Sequence, residues 1–186
     1  MFNERKAAQV ATWFLRQGKG NMAHLKLIKL MYLAEREAMN QHGVLITGDR
    51  FVSMDQGPVP SLTLSFLNGE KRNGDDGWDK WVSDKADHKV ALKERAETAA
   101  LDELSEAEIA ILADVWAKFG HMSKWDLVDH LHEPAHCAEW KDPDGSSTAI
   151  TYEQIFLALG KQPEVAVALA ERIEQQRAID KLFATL

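Results

Sequence analysis

The run Leu27-Ile28-Lys29-Leu30-Met31-Tyr32-Leu33-Ala34-Glu35 is followed by Ile46-Thr47-Gly48-Asp49-Arg50-Phe51-Val52 and then by Gly57-Pro58-Val59-Pro60-Ser61. No other part of the chain is so densely specified. The first run is apolar over most of a helical circumference, the pattern of a helix buried on nearly all sides. Asn21 is a suitable N-cap for it, and Gly43 sits where a C-terminal glycine belongs after His42. Lys26 and Lys29 stand out on such an element and are expected to snorkel, laying their stems along it and their amines in solvent. Beyond it, Val44–Thr47 and Arg50–Met54 are two short extended runs around Gly48-Asp49, which predicts a small hairpin with a type II′ turn. Gly57-Pro58-Val59-Pro60 fits neither a regular helix nor a central strand, because each proline removes a donor and restricts its neighbour. It reads as a rigid hinge into a helix over 61–67, with Pro60 in the first turn and Asn68-Gly69 closing it.

Upstream, Ala7, Val10, Ala11 and Phe14 share one helical face, so residues 4–17 form a first helix ended by Gly18 and Gly20. Downstream, residues 69–80 (Gly69, Asn73, Gly74, Asp75, Asp76, Gly77, Asp79) form an acidic loop beside Trp78 and Trp81. His88, Val90 and Leu92 alternate with Lys89, Ala91 and Lys93, which suggests a strand. Three helix starts carry capping boxes with hydrophobic staples: Ser105/Glu108 with Leu104 and Ile109, Ser123/Asp126 with Met122 and Leu127, and Thr151/Gln154 with Ile150 and Ile155. Pro163 opens a last helix reaching about Leu182. The expected fold is mainly α: a single helical domain with a small β-hairpin element, spanning 1–162, and a C-terminal helix over 163–186 packed on it or extending it.

The chain has 186 residues, 45% hydrophobic and 27% charged, with a formal charge of −7. That balance suits a globular protein and opposes a principal role in gripping nucleic-acid phosphates. No stretch has transmembrane length or the apolar core of a signal peptide, so no membrane partner is expected. One cysteine, Cys137, cannot form an intramolecular disulfide and points to a reducing cytoplasm.

His130, His132, His136 and Cys137 are the residues best suited to metal or enzyme chemistry. Their spacing matches no common zinc motif, and Pro134 interrupts the helix that would align His132 with His136. Nucleophile elbows, phosphate loops and dinucleotide fingerprints are missing from the sequence. No metal, cofactor or catalytic residue is therefore expected. A metal-dependent enzyme built on the histidines is the alternative. Residues 106–119 and 124–132 have the outline of a helix-turn-helix, but the second helix offers Lys124 alone against Asp126, Asp129 and Glu133. DNA is an unfavoured partner on that charge balance.

The central stretch resembles the Panacea domain, the SocA-like antitoxin family. The resemblance rests on Lys26-Leu27, Lys29-Leu30, Tyr32, Ile46-Thr47-Gly48-Asp49, Phe51 and Gly57-Pro58-Val59. Leu131-His132-Glu133 followed by Trp140 resembles a further family run, which implies a structural role for His132 within the domain. The resemblance implies a protein that neutralises a toxin by direct contact, or an adaptor that presents its toxin to a protease. It implies an interaction role and no catalysis. The polar residues around the expected hairpin, Lys29, Asp49, Arg50, Asp55 and Gln56, are the expected docking surface, with Arg50 as anchor because its planar guanidinium can pair bidentately.

Overall fold

Asn3 starts the first helix: its side chain accepts from the Lys6 amide, and α1 runs Glu4–Gln17. Its inner face carries Ala7, Ala8, Val10, Ala11, Phe14 and Leu15, all buried. The protein is described by a computed structural model over residues 1–71 and 77–183; Asn73, Gly74, Asp75 and Asp76 of the expected acidic loop lie outside the described residues. Lys19 and Gly20 both have positive φ and reverse the chain into β1, Asn21–Ala23. Asn21 is thus a strand residue and not an N-cap. It faces Ala91 in an antiparallel pairing of β1 with β4, Lys89–Ala91, and this tertiary pairing overrides its local capping preference. The long helix α2 then spans His24–His42 and stops at Gly43, whose φ of 66° is left-handed.

α2 is the centre of the fold, with Leu27, Ile28, Leu30, Met31, Tyr32, Ala34 and Met39 at 2% exposure or less. It is packed by α1, by α4 (Glu106–Phe119), by α5 (Lys124–His132) and by the hairpin described next.

The hairpin differs from the expected one. Residues 44–47 form no strand, because Glu35 of α2 accepts from the amides of Ile46 at 2.7 Å and Thr47 at 2.8 Å and from the Thr47 hydroxyl. A segment whose donors go to a helix side chain cannot use them in a sheet. The hairpin is instead β2, Phe51–Met54, with β3, Gly57–Pro60, turning through Asp55 and Gln56 with Gly57 at φ 97°. The predicted hinge is therefore an edge strand, a position that tolerates proline. β5, Thr148–Ile150, pairs on the other side of β2, giving the order β3-β2-β5.

α3 covers Ser61–Leu67. Trp78 and Trp81 are core residues at 2% and 4% exposure, placed by a 3-10 turn whose Trp78 amide donates to Glu4 at 2.7 Å. All three capping boxes are formed, at the starts of α4, α5 and α6 (Tyr152–Ala158). The last helix, α7, spans Pro163–Phe183 and packs on α6. The architecture is mainly α, with one two-stranded and one three-stranded sheet among the described residues.

Candidate functional site

The hairpin is held from both ends. At its open end, the Asp49 carboxylate accepts from the amides of Arg50 (2.6 Å), Leu62 (2.9 Å) and Thr63 (2.8 Å) and from the Thr63 hydroxyl (2.7 Å). Asp49 is fully buried. It terminates α3 where Pro60 supplies no capping side chain. Burial raises its pKa, and the four donors oppose that rise. The Asp49 carbonyl accepts from the Tyr152 hydroxyl at 2.8 Å, and Arg177 of α7 donates to that same phenol oxygen.

At the turn end, a groove of about 690 Å³ opens between the start of α2 and the hairpin, lined among others by Ile28, Lys29, Asp55, Gln56, Leu64 and Ser146. Lys29 lies beneath it with 0% exposure. Its amine donates to the Pro58 carbonyl at 2.9 Å, and burial lowers its pKa from 10.5 to about 7. No carboxylate of the described residues is within salt-bridge distance of this amine. His132 stands beside it, its ring stacked on Trp140 with centroids 4.0 Å apart. Its Nε2 is buried without a hydrogen-bond partner. Gly57 separates the two groups: a side chain there would come within 3.2 Å of the Lys29 amine and 3.6 Å of His132 Nε2.

Behind this pair, the Tyr32 hydroxyl donates to Glu139 at 2.7 Å, and Arg36 donates to the same carboxylate at 2.6 Å. Cys137 is buried against this network, its thiol pushed up to about 12 by desolvation and by the Glu139 charge. A thiol so held is protonated at neutral pH and a poor nucleophile.

The histidines do not converge. His130 and His136 stack on each other with centroids 4.1 Å apart, while His132 packs on Trp140. Among the described residues, no group of three or more His, Cys, Asp or Glu side chains is placed to hold a metal. On the helix-turn-helix outline, Lys124 rests over the Trp125 ring at 5.0 Å, and Asp126 closes the α5 capping box.

The five polar residues expected at one solvent-facing edge fall into three settings. Lys29 and Asp49 are buried, so both are corrected: the lysine does not snorkel, because the Pro58 carbonyl meets its amine inside, and the aspartate is consumed by α3. Asp55 and Gln56 are exposed at the turn. Arg50 is exposed at the other end of a four-residue strand, roughly 15 Å away at about 3.3 Å per residue. Lys26 follows the snorkelling expectation in part, crossing Trp116 at 5.5 Å and donating to the Gly120 carbonyl at 2.6 Å. Of the motif residues, Tyr32, Phe51 and Tyr152 form a chain of edge-to-face rings, with centroids 5.5 and 6.0 Å apart. Gly48 has a φ of 73° and Val59 is buried. Sequence reasoning missed Glu35 and Glu139; for Glu35 the available signal was a carboxylate on an all-round apolar helix, which must have internal donors, while Glu139 lies in a turn and carried no such signal.

The family model described as "Antitoxin SocA-like, Panacea domain" matches residues 27–141. That range holds all but the first three residues of α2, the β2–β3 hairpin, α3, α4, α5 and Glu139, and the chain belongs to this family. No curated protein and no solved structure matches it. Among the described residues no helix is long and apolar enough to cross a membrane.

Proposed function

We propose that this protein is an antitoxin that neutralises a protein toxin by binding it directly, with the hairpin and its flanks as the docking region. Membership of the SocA-like antitoxin family carries this reading. The physical support is rigidity: the hairpin is fixed by Asp49 at one end and packed on α2 along β3. Exposed groups on it therefore lose little conformational entropy on binding. Arg50 is the anchor at the open end. Its side chain is exposed, and no carboxylate among the described residues lies within salt-bridge distance of it, since that of Asp49 is turned to backbone donors.

The test is co-expression with the product of the adjacent reading frame, scored by growth rescue and by co-purification. Rescue by the wild-type protein with loss in Arg50→Ala, at an unchanged thermal midpoint, is the expected outcome. Absence of any complex between the wild-type protein and that product rejects the direct-binding reading. Full rescue by Arg50→Ala removes Arg50 from the interface.

A further inference from the structure

The groove between α2 and the hairpin turn is lined in part by Lys29, whose buried amine has no carboxylate of the described residues within salt-bridge distance. Lys29 is fully buried, and its one hydrogen bond goes to a neutral carbonyl, that of Pro58. An ammonium has three donors, and a buried charge is ordinarily paired. The nearest ionisable neighbours of the amine do not pair it. Cys137 is held as a thiol, and His132 is a second basic group whose pKa is lowered by burial and by Lys29 itself, against the opposing charges of Asp129 and Asp142. The unpartnered His132 Nε2 and the Lys29 amine approach the same point, the place where Gly57 has no side chain. Lys29 also lines the groove, which is wide enough for a peptide side chain. Other cations stand at its α2 end, where Lys85 donates to the groove residue Asn68 at 3.1 Å, and both Lys85 and Lys124 act on His24.

We infer that this groove is a receptor for a carboxylate side chain, an Asp or Glu presented by the partner protein, which enters between the Asp55-Gln56 turn and α2 and pairs with Lys29. The inference rests on the direct-binding reading for the partner, but the site stands on its own geometry. The walls suit such an occupant: Ile28, Val59 and Leu64 would cover the methylene stem, while the amine meets the head group. His132 supplies a second donor once its Nε2 takes up a proton, which an adjacent carboxylate favours. An opposite charge at Lys29 likewise favours the ammonium, so pairing draws the amine toward its protonated form.

The site is tested with the full-length protein and acetate as the probe, by following the Lys29 side-chain carbon resonance through a pH titration in acetate and in chloride at matched ionic strength. A higher Lys29 titration midpoint in acetate, abolished in Gly57→Ala where the gap is filled, is the expected result. An identical midpoint in the two salts overturns the inference, as does a shift that Gly57→Ala leaves intact. The second measurement is affinity for the adjacent-frame product. Lys29→Met should weaken binding by about tenfold or more, as for a central charged contact, with folding intact because an apolar side chain suits the buried position. Unchanged affinity also overturns the inference. If the wild-type protein binds no such product, the antitoxin reading fails, and the acetate titration alone decides the site.

Discussion

The Asp49 carboxylate and Thr63 meet twice, through the Thr63 amide at 2.8 Å and its hydroxyl at 2.7 Å. This contact ties the turn before β2 to the first turn of α3 and so closes the hairpin against its helix. Asp49→Ala removes an acceptor shared by four donors, three of them backbone amides. The expected loss is about 3 kcal/mol, the range for buried donors deprived of a charged acceptor. Urea denaturation checks it, and a midpoint equal to wild type would show that water replaces the carboxylate at no cost.

Gly57 closes the hairpin turn with φ at 97° and faces the Lys29 amine at 3.2 Å from any added side chain. Gly57→Val should destabilise by roughly 1–3 kcal/mol from backbone strain alone. Thermal unfolding of the two proteins side by side measures this. Equal midpoints would mean that the turn relaxes to a conformation open to all residues.

Lys29 and Glu35 give stability a two-sided dependence on pH. The Lys29 pKa falls from 10.5 to about 7 on folding. Between those values the unfolded chain holds a proton that the folded one lacks, so this residue makes stability rise with pH across that window. Glu35 is raised from 4.5 to about 7 by burial, against the opposing donors of Ile46 and Thr47. There the folded chain holds the extra proton, so stability falls as pH rises from 4.5 to 7. Lys29→Met should flatten the upper limb, whose slope is at most about 1.4 kcal/mol per pH unit. Urea midpoints between neutral and alkaline pH report it, and an unaltered slope in the variant would assign the rise to other groups.

Glu139 holds Tyr32 and Arg36 together at 2.7 and 2.6 Å. Glu139→Ala leaves a mostly buried guanidinium and a buried phenol without their acceptor, and a loss of about 3 kcal/mol is expected. Tyr32→Phe deletes one bond and keeps the ring packing, so about 1 kcal/mol is expected there. A double-mutant cycle between positions 32 and 139 tests whether the network is shared; strict additivity would argue against it.

Local chemistry made much of the fold readable. The α1 bounds, the three capping boxes and Gly43 all depend on residues within one turn of each other. The failures are non-local. Asn21 pairs with Ala91 across seventy residues of chain, and β2 takes Thr148–Ile150 as its second neighbour. Residues 44–47 have strand composition, yet Glu35 claims their donors. The five polar residues were read as one exposed set near a turn. The burial of Lys29 and Asp49 was not legible, because whether Lys29 points to solvent or to the Pro58 carbonyl depends on where β3 lies against α2.

The alternation of β3 has a bearing on how this protein behaves in a crowded solution. Successive residues of a strand direct their backbone groups to opposite sides, and the Met54–Gly57 and Val52–Val59 pairs face inward to β2. The residues whose amides would face outward are Pro58 and Pro60, which have none, and the Pro58 carbonyl is already taken by Lys29. That margin of the sheet offers no donor on which another chain could template. Within this three-stranded sheet, strand addition is left to the β5 side, where the strand is three residues long. The β3 edge of this sheet is thereby protected from polymerising.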